Sequence, residues 1–280
     1  MKNIVILAAI VLLCQCKKDP EEPYSNENIV MDNAQAALYF HTVFREAENA
    51  WAFIDSKNYE DGTYIDEASR SSIYKRLTYE ESKKTVVIDY NAWETNQLFL
   101  LGSITVEFAV NSYRGDGSTA SVYLTDFSIN QQSVVGGSSI KYRKVQNSDN
   151  DHYTYTLLDG AAIHEQGHAM PVLISATIAN GQYERTEGND TLIQEDDVWE
   201  YSGVMTGMLH NDPNLKYTNT VNPASTYLEN GESKDGKIHY SMDCTFARQG
   251  LSQITFLKRP AIAFIHSCSG YYFESVTHIE

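Results

Sequence analysis

Between residues 34 and 54 the apolar positions recur at three- and four-residue steps: Ala34, Ala37, Leu38, Phe44, Ala47, Trp51 and Ile54, with His41 in the same series. That period lays them along one stripe of an α-helix. Asp32 or Asn33 can cap its start, and Asp61-Gly62 marks a turn beyond its end near Lys57. One amphipathic helix is therefore predicted in 32–60, with His41 and the aromatics of this stripe as packing residues. After Arg76 the period becomes two. Residues 85–90 read as a short strand, and Ile104-Thr105-Val106-Glu107-Phe108-Ala109-Val110 alternates as a half-buried strand does.

Further strands are predicted over 120–129, 140–145, 153–158, 172–179, 198–208, 215–221, 237–246, 253–256, 261–267 and 271–278. Turns are read at Gly115-Asp116-Gly117-Ser118 and Gly136-Gly137, with hairpins at Asp159-Gly160 and Asn180-Gly181. Many short strands with glycine-containing turns, and no repeat of fixed period, indicate a mainly β fold. The expected architecture is an antiparallel sandwich or stacked sheets, preceded by the one helix. A chain of 280 residues, 42% hydrophobic, has the material for one large β-rich domain over 61–280.

The chain opens differently. Lys2 supplies a positive start and residues 4–13 form an apolar run too short to span a bilayer as a helix, so 1–15 reads as a secretion signal. A cysteine directly after such a run suits lipoprotein processing, with acylation of the first mature residue. Cys16 is the expected anchor because Lys17-Lys18-Asp19 begins the polar chain at once. Cys14 is the alternative, and neither has the usual small residue before it, Gln15 and Leu13 standing there. Residues 16–31 then form an acidic tether with little to bury. Asp19, Glu21 and Glu22 resemble a surface-export signal, so the expected location is the outer face of the outer membrane, with the periplasmic face as alternative.

A net charge of −16 excludes nucleic acid as a natural partner, because phosphates call for Lys and Arg. The 19 tyrosines fall mostly in predicted strands, where they pack well; a glycan- or peptide-stacking surface is the functional reading of the same residues. Of the cysteines only Cys244 and Cys268 belong to the body. Each lies in or beside a strand signal, so an exported chain is expected to join them in a disulfide, with two separate buried thiols as the alternative.

One motif carries chemistry. His164-Glu165-Gln166-Gly167-His168 is a literal H-E-x-x-H, which on a helix sets two zinc ligands, His164 and His168, beside Glu165 as general base. Its surroundings oppose a helix. Asp159-Gly160 precedes it, Gly167 lies inside it, Pro171 follows, and Pro171 and Ile174 stand where the extended metzincin pattern needs glycine and histidine. In a strand the two histidines are ~13 Å apart, too far to share a metal. The strand reading, with no cofactor, is preferred; a zinc metallopeptidase is the alternative.

The order of segments also resembles the uncharacterised β-rich surface lipoproteins of Bacteroidota-type bacteria. The matching residues are Lys17-Lys18-Asp19 after the anchor and Asp32-Asn33-Ala34-Gln35 at the helix start. Thr85-Val86-Val87-Ile88-Asp89-Tyr90 looks like the first strand of that family. Tyr113-Arg114-Gly115-Asp116-Gly117-Ser118, Asp126-Phe127-Ser128-Ile129-Asn130 and Val134-Val135-Gly136-Gly137 follow in its order. Ser202-Gly203, Thr206-Gly207 and the closing pair Cys244 and Cys268 complete the match. A cysteine followed by Asp-Gly near 98–106, frequent in that family, is lacking here, and Ser269 replaces its acidic residue after the last cysteine. The resemblance implies an exported, lipid-anchored β protein and no reaction. The expected function is thus a non-enzymatic binding or structural module, tied to the membrane by its lipid, with a glycan or protein as possible ligand.

Overall fold

The computed structural model describes residues 26–57, 61–67, 73–95, 98–109, 116–142, 152–164, 172–187, 198–208, 216–221, 238–241, 249–256, 262–267 and 270–272. Helix α1, Asn26–Ser56, starts before the predicted residue 32, so residues 26–31 belong to it and not to the tether. The reason is apolar: Val30 extends the buried stripe by another turn and is fully buried. Asn33 is consequently not a cap. It lies inside the protein, where its Oδ1 accepts a hydrogen bond of 2.7 Å from Nδ2 of Asn219.

Fourteen strands follow among the described residues. The first six are β1 (Gly62–Glu67), β2 (Tyr74–Glu80), β3 (Thr85–Thr95), β4 (Leu98–Phe108), β5 (Thr119–Ile129) and β6 (Gln132–Tyr142). Next come β7 (His152–His164), β8 (Val172–Glu187), β9 (Val198–Met208) and β10 (Lys216–Val221). The last four are β11 (Ile238–Ser241), β12 (Gln249–Phe256), β13 (Ile262–Ser267) and β14 (Gly270–Tyr272). Strands β1 to β10 pair antiparallel in chain order, β12, β13 and β14 continue the sheet from β10, and β11 pairs with both β9 and β12. The protein is therefore mainly β and antiparallel with one N-terminal helix, as its sequence patterning predicts.

Two opposite sides of α1 meet two different parts of this sheet. Phe44 stacks on Tyr183 of β8 with ring centroids 4.0 Å apart and meets Trp199 of β9 edge-on at 5.4 Å. Glu46 receives hydrogen bonds from Lys75 of β2 at 2.6 Å and Tyr90 of β3 at 2.8 Å. Phe44 and Glu46 are two positions apart, about 200° around a helix of 3.6 residues per turn. So β2–β3 and β8–β9 lie on opposite sides of α1, and the sandwich-like layering consists of two arms of one sheet with the helix between them. This explains why residues 36–48 of the helix are all buried, Arg45, Glu46 and Glu48 included. The helix predicted as amphipathic has no solvent face over that stretch. Tyr79, Tyr90, Tyr142, Tyr183 and Tyr201 share the resulting core, where the tyrosines act as strand filler.

What bends the sheet is a line of irregularities that crosses it. Pairing shifts between Tyr90 and Trp93 on β3, between Leu101 and Ser103 on β4, and between Tyr123 and Ser128 on β5. It shifts again between Val135 and Gly137 on β6 and between Ala179 and Gln182 on β8. Between β7 and β8 the pairs lapse from Tyr155↔Gly181 to Ala161↔Ser175. Each break adjoins the next, and left-handed backbone marks the line at Ala92 (φ 51°), Gly102 (φ 89°), Asp126 (φ 48°) and Gly136 (φ 120°). Bulges add local twist and bend the strand that carries them, so a row of them creases the sheet.

The crease also corrects two predicted turns. Asp159-Gly160 and Asn180-Gly181 read as hairpins, yet β7 and β8 run straight through them. Both dipeptides sit where the ladder opens at the crease, a second environment that tolerates turn-forming residues. Strands β1 and β2, before Thr85, carry too little alternation to be seen in the sequence.

Candidate ligand-binding groove

The apolar run Leu98-Phe99-Leu100-Leu101 gives β4 hydrophobic side chains on both faces of the sheet. Leu98 and Leu100 point inward and are buried, whereas Phe99 and Leu101 are each 50% exposed on the outer face. Across from them, the hairpin joining β5 and β6 turns at Asn130 and Gln131, both left-handed (φ 52° and 66°), as a two-residue hairpin turn requires. Its tip is tied to β4. The Asn130 N–H donates to the Phe99 carbonyl at 2.8 Å, and the Phe99 N–H donates to Oδ1 of Asn130 at 2.8 Å.

Between these elements the crease leaves a groove of about 520 Å³, lined by Ala92, Phe99, Leu100, Leu101, Asp126, Phe127, Ser128, Gln131 and Ser133. Its volume is in the range of small-ligand sites. The position of Asp126 depends on its neighbour. A Cβ at Gly102 would stand 2.1 Å from the Asp126 carbonyl oxygen, so only glycine lets the two strands approach this closely. The carboxylate of Asp126 is thereby held on the exposed side while Phe127, next in the chain, turns inward and is buried.

Among the described residues the charges around the groove are of one sign, and no Lys, Arg or His lines it. The exposed Glu94 is the register partner of Phe99, which sets it on the same face. Further along that face Asp89 is neutralised by Arg76, whose Nη2 lies 2.7 Å from Oδ2.

A second polar cluster lies inside the protein. Burial pushes the Glu46 carboxyl up, but the charges of Lys75 and Arg45 and hydrogen bonds from Lys75 and Tyr90 outweigh it and hold the pKa at about 2. Burial, aided by Arg45, lowers the pKa of His41 well below its ordinary value, and burial with the Glu46 charge raises that of Tyr90. These groups stabilise the helix–sheet contact and are closed to a ligand.

The residues singled out in the sequence are placed as follows. His164 ends β7 in extended backbone, paired with Val172 of β8, while Glu165 and His168 lie outside the described residues. Among the described residues no cluster of three His, Cys, Asp or Glu is arranged to hold a metal ion. Cys14, Cys16, Cys244 and Cys268 are likewise outside the described residues; Ser267, next to Cys268, pairs with Gln249 of β12. The groove residues Phe99, Leu101, Asp126 and Gln131 were not predicted. The run of four apolar residues at 98–101, where a half-buried strand should alternate, is the signal that could have found them. A scan against protein-family models, a search of curated proteins and a search of solved structures each find no match to this chain.

Proposed function

We propose that the protein is an exported, lipid-anchored surface protein that acts as a non-enzymatic binding module, and that the groove on the outer face of the crease is its binding surface. The observation that carries the binding reading is the pair of half-exposed side chains, Phe99 and Leu101, beside converging polar groups in a preformed concavity. The anchor reading rests on the leader of 1–15 and on Cys16, with the outer face of the outer membrane as the location.

Two experiments test these claims separately. Metabolic palmitate labelling should mark the wild-type chain and leave Cys16→Ala unlabelled; label retained by that variant would refute Cys16 as the anchor. Amide shift mapping against a library of small soluble fragments should gather its hits at Ala92, Phe99, Leu101 and Ser128. Hits confined to another face of the protein would remove the groove from the proposal.

A further inference from the structure

We infer that the occupant of the groove is an extended peptide segment carrying a basic side chain between apolar ones. This rests on the groove being the binding surface and adds the chemistry of what it takes. Phe99 and Leu101 offer an apolar platform, and among the described residues Asp126 is the only charged side chain in the lining. Glu94 extends the negative field beside Phe99. Among the described residues neither Asp126 nor Glu94 is ion-paired, whereas Asp89 on the same face has Arg76. An ammonium or guanidinium group placed over Phe99 would meet the face of its ring and a carboxylate together. The net charge of −16 draws cations toward the site and repels anionic ligands.

The extent of the groove adds a reason for a short peptide. From Ala92 on β3 to Ser133 on β6 is three strand spacings, about 14 Å at ~4.8 Å each. An extended segment of about four residues covers that span at ~3.3 Å per residue.

Fluorescence anisotropy with the purified full chain tests the assignment, using a labelled pentapeptide alternating leucine and arginine, its glutamate counterpart and the neutral sugar cellohexaose as competitor. The arginine peptide should bind and the glutamate peptide should not. Asp126→Asn and Leu101→Ser should each weaken binding about tenfold, equivalent to ~1.4 kcal/mol. Asparagine accepts the left-handed backbone of position 126 as readily as aspartate, so the first variant leaves the fold in place. Glu107→Gln is the control: this exposed acid on β4 is outside the groove, and its loss changes the net charge by the same single unit. Equal weakening by Glu107→Gln and Asp126→Asn would overturn the assignment in favour of unspecific attraction. Displacement of the peptide by cellohexaose, with sugar binding lost in Leu101→Ser, would overturn the peptide and keep the groove. Peptide binding unchanged in both groove variants would overturn both readings.

Discussion

Gly102→Ala is expected to destabilise the protein by about 4 kcal/mol or more, a large part of the ~5–15 kcal/mol that holds a domain folded. Two effects combine. The residue has φ 89°, a conformation that costs an L side chain ~1–3 kcal/mol. Its new methyl group would also lie 2.1 Å from the Asp126 carbonyl oxygen, 2.5 Å from the carbonyl carbon and 2.8 Å from the Phe127 Cα. All three are backbone atoms, so no rotamer change relieves the contact, and β4 and β5 must separate at the crease. Gly117→Ala is the internal comparison. Gly117 has φ 82°, but a methyl group there would meet nothing within 4 Å, so it should show the backbone cost alone, about 1 kcal/mol. Urea denaturation of both variants separates the two contributions. Equal losses would mean that the close approach of the two strands contributes nothing.

Glu46→Gln should cost about 3 kcal/mol and remove the lower step of the acid sensitivity of the fold. Glutamine keeps the shape and can still meet Tyr90, but it leaves Lys75 and Arg45 in a buried site without their carboxylate. The pH dependence has a definite sign. The folded pKa of Glu46 is about 2 against an ordinary value of 4.5, so the unfolded chain takes up the proton first. The stability contributed by Glu46 is complete above pH 4.5 and is lost as pH falls from there through 2. His41 acts in the same direction at higher pH. Its folded pKa is lowered from 6.5 by burial and by Arg45, so stability falls as pH drops below 6.5 and the unfolded imidazole protonates. Melting temperatures measured from about pH 7 to about pH 3 should decline in both steps for the wild type. In Glu46→Gln the lower step should disappear; its persistence would assign the acid sensitivity to other carboxylates.

The helix and most strands were legible because their apolar periods are strong, as in residues 34–54 and 104–108. Three features were not. Burial of Arg45 and Glu46 depends on Lys75 and Tyr90, distant in sequence, so the helix pattern alone announced a solvent face. Asp159-Gly160 and Asn180-Gly181 have turn chemistry that serves a bulged strand equally well, and only the neighbouring strands decide between the two uses. The groove arises where Gly102, Asp126 and the Asn130-Gln131 turn come together from adjacent strands, and register is a property that a single sequence does not display. The apolar run at 98–101 was visible, but its outward half acquires meaning only once the sheet has an outside.

The proposed binding module stands against a metallopeptidase built on His164, Glu165 and His168. Two zinc ligands at i and i+4 need helical backbone at both positions, and His164 is the paired, extended end of β7. Elemental analysis of the chain purified without chelator is the most direct test, run alongside His164→Ala. Well under one zinc per chain is predicted in both. One zinc per chain in the wild type, lost in His164→Ala, would overturn the binding module and make Glu165 the general base of a peptidase.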